Sequence, residues 1–194
     1  MRIGIAPGHS LLATPPQTYE HQRCLEVVAR LAPMLRDAGH DVATPIFGDQ
    51  PNDSALRAKV KYLNDVAVDC AVELHLNAGG GDYGLAVYWG VRNSYSLRGQ
   101  RLARYLSMGM HALPHGSPPD DKFPIPQHVR AMHQLQRGSL YFLAATHAPS
   151  VLVEPAFMDG PPTHRDWITS PAFACDYAAA VYLGLRYYAE DSTL

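Results

Sequence analysis

The sequence holds only three cysteines, Cys24, Cys70 and Cys175, and no two of them form a C-x-x-C pair. That scarcity excludes both a disulfide framework and a thiolate zinc site, and predicts three reduced, buried thiols. Long apolar runs are missing too. The first, Ile3 to Ala6, is cut by Pro7-Gly8 before it reaches the length of a secretory h-region, and no later run approaches the ~20 residues of a membrane span. The expectation is synthesis in the cytoplasm without a signal peptide and without membrane insertion. Neither sign of charge dominates: 16 Lys+Arg stand against 18 Asp+Glu, a formal charge of -2. A chain whose task is to cover phosphates carries a basic excess, so no nucleic-acid partner is expected. Nothing in the composition sets an oligomeric state.

Repeats and low-complexity tracts are also absent, and the residues after Tyr188 are too few for a second module, so one domain over 1–194 is expected. What the chain does have is a hydrophobic period that switches back and forth. Arg2 to Ala6 reads as a short strand. Cys24, Val27, Val28, Leu31, Leu35 and Ala38 keep the three-four spacing of a helix from about Thr18 to Ala38, and Gly39 suits the cap that ends it. Asp41 to Pro45 supplies a second strand. Ser54 is expected to cap a helix carrying Leu56, Val60, Leu63 and Ala67, followed by a buried strand from Val68 to Leu74. Leu85 to Trp89 is another strand, and Ser96 to about His111 a helix with Leu97, Leu102 and Leu106 inward.

Five prolines between Pro114 and Arg137 make that segment an extended surface loop, with one helical turn near Val129 to Leu135. Leu140 to Ala144 reads as a strand or a helix end, and Ser150 to Val153 as a buried strand. Ser170-Pro171 opens a last helix with Phe173, Tyr177, Ala180, Val181, Gly184, Leu185 and Tyr188 inward. This alternation predicts an α/β single domain: a largely parallel twisted sheet of about six strands with helices on both faces, phosphorylase/hydrolase-like.

Three predicted strands end alike. Ile3-Gly4-Ile5 leads to His9, Val72-Glu73-Leu74 to His75, and Val151-Leu152-Val153 to Glu154. Groups just past the carboxyl ends of parallel strands gather at one sheet edge, where ligand sites form. Glu20, in the first turn of the helix after the His9 loop, returns to the same edge. Taken singly, a His is more often a satisfied surface residue, and a first-turn Glu is more often there for the helix dipole. Together they match the His/His/Glu set of a catalytic zinc site with an open fourth position.

The stretches Ile5-Ala6-Pro7-Gly8-His9, then Glu20, then Glu73-Leu74-His75-Leu76-Asn77-Ala78, then Pro149 to Phe157 resemble, in order, the signatures of zinc-dependent N-acetylmuramoyl-L-alanine amidases of the amidase_3 type. That family carries a D-P-G-H turn, a Glu opening the first helix, an S-x-H-x-N-A segment and a V-L-V-E-x-G-F strand end. The resemblance spans nearly the whole chain. It implies that His9, Glu20 and His75 hold one Zn2+ per chain, that Glu154 is the catalytic carboxylate, and that the substrate is peptidoglycan, cut between N-acetylmuramic acid and L-alanine. With no wall-anchoring repeats in the sequence, a single catalytic domain over 1–194 without a separate wall-binding domain is expected. A compact amidase without a leader resembles a phage-type endolysin, which acts on the wall after membrane permeabilisation. A zinc peptidase cutting another amide, or a non-catalytic wall-binding or regulatory module on the same fold, are the competing readings.

The chain departs from the family pattern at Ala6 for Asp, Ser10 for Gly, Glu73 for Ser, and Pro155-Ala156 for x-Gly. Glu73 shares a strand face with His75 and can orient that imidazole from behind, compete as a ligand, or pair with a nearby Arg. Asn77 and the glycines Gly79, Gly80 and Gly81 either bring backbone donors to substrate or form a turn. Arg130, His133, Gln134 and Arg137 either bind stem-peptide carboxylates or are solvated surface. His21 neighbours Glu20 but turns away from it on a helix.

Overall fold

The computed structural model describes residues 1–89, 94–111, 125, 127–135 and 140–191. Strands β1 (Arg2–Pro7), β3 (Cys70–Leu74) and β6 (Ser150–Glu154) are nearly continuous apolar runs because helices cover both of their faces. With β2 (Asp41–Ala43), β4 (Gly84–Tyr88) and β5 (Gln127–Ala131) they build one six-stranded sheet in the order β2-β1-β3-β6-β4-β5. Every pairing is parallel except β4 against β6. The sheet is therefore mixed, mostly parallel, as the alternation of elements predicts.

Side chains alternate across a strand, so each strand feeds two cores. Ile3, Ile5, Val72, Leu74, Val151 and Val153 pack under α1 (Gln17–Asp37), α3 (Ser94–His111) and α6 (Phe173–Glu190). Ala6, Ala71, Leu85, Val87 and Leu152 pack under α2 (Asn52–Asp65) and α4 (Tyr141–Ala145). Glu73 belongs to this second face, and that places it beneath α2. Gly39 ends α1 as expected, at φ +85°, with the His40 N–H donating to Leu35 O at 3.0 Å. The crossing of α3 over α6 is close: a Cβ on Gly109 would fall 2.2 Å from Ala180 O. Among the described residues no helix is long and apolar enough to cross a membrane.

Several local expectations give way. Within the proline-rich segment, Gln127–Ala131 is strand β5 rather than a helical turn, because β4 offers it an edge in register, Gly84 against Gln127. Only Met132–Gln134 winds, as a 3-10 turn. Most of the rest of 114–137 lies outside the described residues. Helix α2 starts at Asn52 behind Pro51 with no side-chain cap, so Ser54 sits inside it rather than capping it. Leu140 to Ala144 resolves as helix α4, its Phe142 and Leu143 buried under the sheet. Leu97 is 70 % exposed, since a five-residue step from Leu102 leaves the buried stripe of α3. Cys175 is exposed, on the outward side of α6, whereas Cys24 and Cys70 are buried. A helix α5 (Pro162–Thr169), unanticipated, precedes α6, which begins at Phe173, two residues after Pro171.

Candidate metal centre

Strand register builds the site. Pro7 pairs with Leu74 and Leu74 with Val153, so Gly8, His75 and Glu154 leave the sheet side by side. The ladder runs one step further to hold them: Gly8 N–H donates to Leu74 O at 2.7 Å and His75 N–H to Val153 O at 2.8 Å. Gly8 is required here, because a Cβ would come within 2.5 Å of the His75 ring. His9 then turns at φ +51°, a left-handed conformation uncommon for a residue with a side chain and typical of sites that hold strain for function. Glu20, in the first turn of α1, closes the group from the other side and is anchored by the Leu76 N–H, which donates to its Oε1 at 2.9 Å.

His9, Glu20 and His75 each offer a ligand atom, and these atoms lie within 4.8 Å of one another. Glu20 bridges the two rings: Oε1 is 2.8 Å from His75 Nδ1, and Oε2 is 3.1 Å from His9 Nε2. On the far side of the His75 ring, Nε2 stands 3.2 Å from Glu73 Oε2. Burial works against the charge of Glu20, but the imidazoles of His75 and His9 outweigh it and hold the carboxyl down at about 2. Burial likewise opposes a charged His75, yet Glu73 and Glu20 together push it up to about 10. Glu73 is lowered too: its burial is outweighed by His75 first and Lys59 after.

These residues fit a divalent cation. A ring with a carboxylate at each nitrogen needs a positive charge between nitrogen and oxygen on both sides, supplied by a proton or by a metal. Two imidazoles and one carboxylate are a zinc donor set.

Glu154 lines the same cavity, about 360 Å³, as His9, Glu20 and His75. A second cavity of about 560 Å³ joins it, sharing Asn77, Leu152 and Glu154 and running along β4 to His128 and Arg130. Glu154 thus stands where the two meet. Of the residues singled out for substrate, Arg130 and Gln134 line this larger cavity, His133 is exposed and does not, and Arg137 lies outside the described residues. Gln134 also folds back, its Oε1 accepting from the Ala131 N–H at 2.8 Å.

The glycine turn is occupied rather than open. Gly79 and Gly80 N–H both donate to the Asp159 carboxylate, at 2.9 and 3.1 Å, so these donors are spent on the fold. Asn77 is buried and splices β3 to the exit of β6: its N–H donates to Ala156 O and its carbonyl accepts from Met158 N–H, both at 2.8 Å. His21 stays out of the ligand group, as expected. Its Nδ1 meets Gly8 O at 2.6 Å, and burial lowers its pKa.

Of the three openings for Glu73, pairing with Arg is not what the structure shows. Its cation is Lys59, 3.7 Å away, with no exposed surface of its own. Lys59 escaped sequence analysis altogether, since a Lys among Leu56, Val60 and Leu63 on α2 reads as the polar face of an amphipathic helix. Only the coincidence of its position with Glu73 on the facing strand marks it, and that requires the topology.

The sequence matches the family described as Amidase_3, N-acetylmuramoyl-L-alanine amidase, over residues 3–187. No curated protein matches the chain. Among solved structures, the chain is similar to the N-acetylmuramoyl-L-alanine amidase AmiC2 of Nostoc punctiforme, at 19 % identity, 98 % of this chain and 97 % of that one covered, and a TM-score of 0.74. The apo form of Ami1 from Mycobacterium abscessus matches at 19 % identity, 97 % and 98 % coverage and a TM-score of 0.73. The catalytic domain of the CD27L endolysin, which targets Clostridia difficile, matches at 21 % identity, 96 % and 97 % coverage and a TM-score of 0.72.

Proposed function

Because the chain belongs to the N-acetylmuramoyl-L-alanine amidase family, we propose that it hydrolyses the amide between N-acetylmuramic acid and L-alanine in peptidoglycan, using one Zn2+ held by His9, Glu20 and His75. The observation that carries this reading is the shared rung: Gly8, His75 and Glu154 leave three adjacent strands together, so the metal-ligand set and the Glu154 carboxylate line one cavity.

Zinc bound there supplies Lewis acidity, lowering the pKa of water toward ~7 and polarising the scissile carbonyl. Glu154 takes the water proton as oxygen attacks the carbonyl carbon, then returns a proton to the alanine nitrogen as the C–N bond breaks. Glu20, kept ionised at neutral pH by its two imidazoles and the Leu76 N–H, contributes negative charge to the ligand set. The larger cavity takes the stem peptide. Register puts His128 and Arg130 two strands from β6 on the face that carries Leu152 and Glu154, roughly 10 Å across the sheet. Arg130 there offers a forked donor to a peptide carboxylate.

The test is metal analysis joined to product analysis. Dialysed protein is expected to hold one zinc per chain and to release chains with free L-alanine amino termini from purified sacculi. His9→Ala is expected to lose both. Products cut within the peptide, with the lactyl amide intact, would replace the amidase reading by a peptidase one.

A further inference from the structure

Lys59 has no exposed surface, and the hydrolysis described above gives it no part. A buried ammonium is costly unless it is well paired. Among the described residues its polar contacts lie beside the metal ligands. Its Nζ donates to Pro7 O and, at 2.7 Å, to His9 O, the carbonyls on either side of Gly8, and it stands 3.7 Å from Glu73 Oε1. The other oxygen of Glu73 lies 3.2 Å from His75 Nε2, an ionic contact set off the line of a straight hydrogen bond. One lysine therefore reaches both histidines, His9 through its own carbonyl and His75 through a carboxylate.

Resting on the zinc reading, we propose that Lys59 and Glu73 form a buried positioning pair for the two ligand histidines. Glu73 takes the Nε2 side of His75 so that Nδ1 is the nitrogen given to the metal, and Lys59 holds Glu73 together with the left-handed turn at His9.

Either ring nitrogen of a histidine can bind a metal, and the choice is set by what the other nitrogen meets. Here Nδ1 already faces Glu20 Oε1 at 2.8 Å, while Nε2 faces Glu73. A carboxylate this deeply buried beside a ligand set could itself coordinate, yet it is not in the group whose ligand atoms converge. Lys59 explains the difference: the ammonium neutralises Glu73 and draws Oε1 toward α2, away from the cavity. The same ammonium gives the strained His9 carbonyl a charged donor, which stabilises the turn that aims the His9 ring. An ionised Glu73 buried at this position needs a countercharge, and Lys59 provides it.

The experiment compares the full chain with Glu73→Gln, Lys59→Met and the double variant, each checked for fold by circular dichroism. The readouts are the Zn2+ dissociation constant, by competition with a chromophoric chelator, and the visible spectrum of the Co2+-loaded protein. Each single variant is expected to weaken Zn2+ binding by about 10- to 100-fold, the range for groups that orient a metal-bound histidine, and to shift the Co2+ bands. The double variant is expected to lose less than the product of the two, since both act on one contact. A folded Glu73→Gln with wild-type Zn2+ affinity and an unchanged Co2+ spectrum overturns the proposal.

Should the variants fail to fold, the wild type decides. Loaded with spin-active cadmium and isotope-labelled histidine, it is expected to show metal coupling at His75 Nδ1 and a proton on Nε2. Coupling at Nε2 overturns the proposal. A wild type that binds no Zn2+ at all overturns the zinc reading as well, whereas tight binding indifferent to Glu73 overturns the positioning pair alone.

Discussion

Glu20 Oε1 stands 2.8 Å from His75 Nδ1, joining the first turn of α1 to the exit of β3. With His75 raised to about 10, that contact carries a proton at neutral pH when no metal competes for the nitrogen. Zinc needs the lone pair, so its binding must expel the proton. Calorimetry in buffers of different ionisation enthalpy is expected to report about one proton released per Zn2+ at pH 7. Because the working pH lies below the raised value, apparent affinity should fall about tenfold for each unit that pH drops. Release of no proton would contradict the contact.

Gly8 bears on the same ring. A methyl group added there would sit 2.5 Å from His75, so Gly8→Ala should turn the imidazole out of line. We expect a folded protein whose retained zinc after dialysis against a weak chelator falls well below one per chain. Full zinc retention would show that the ring has room to yield.

Arg130 and His133 lie three residues apart and separate cleanly in position, one in the larger cavity and one exposed outside it. Losing a charge-assisted hydrogen bond of about 1.5–3 kcal/mol predicts a KM for soluble muropeptide about ten- to a hundredfold higher in Arg130→Ala, with kcat little changed. His133→Ala should match wild type in both constants. Equal effects from the two would remove the stem peptide from this cavity.

His164 provides a pH response independent of the metal. It is buried, its Nδ1 accepts the Phe157 N–H at 2.9 Å, and burial lowers its pKa. The unfolded chain, with a His near ~6.5, then binds more protons than the folded one as pH falls below that value, so stability declines there. Thermal melts of chelator-treated protein from pH 7.5 to 5 should show this decline, and His164→Gln should make it shallower. An unchanged slope in the variant would assign the decline elsewhere.

How much of this was legible in the sequence differs by element, for physical reasons. The strands that carry His9, His75 and Glu154 announce themselves because both of their faces are buried, and their ends bring those residues to one edge whatever the strand order. Gln127–Ala131 did not read as a strand, because its neighbouring prolines are a local signal while the open edge of β4 is a distant one. The glycines after Asn77 left a substrate-facing turn and a purely structural one open, and Asp159, some eighty residues on, decides for the second at Gly79 and Gly80. Glu73 was visible as a neighbour of His75 on one strand face. Its partner Lys59 was not, since nothing local distinguishes a lysine that points into the protein from one that points out.

We propose that Glu154 moves the proton at a metal held by His9, Glu20 and His75. Mass spectrometry of purified sacculi treated with zinc-loaded wild type or Glu154→Gln measures it directly, with zinc content determined on the same samples. Equal zinc is expected in both, with a loss of new L-alanine amino termini of about 10²- to 10⁴-fold in the variant. A variant that carries its zinc and cleaves at the wild-type rate would contradict it.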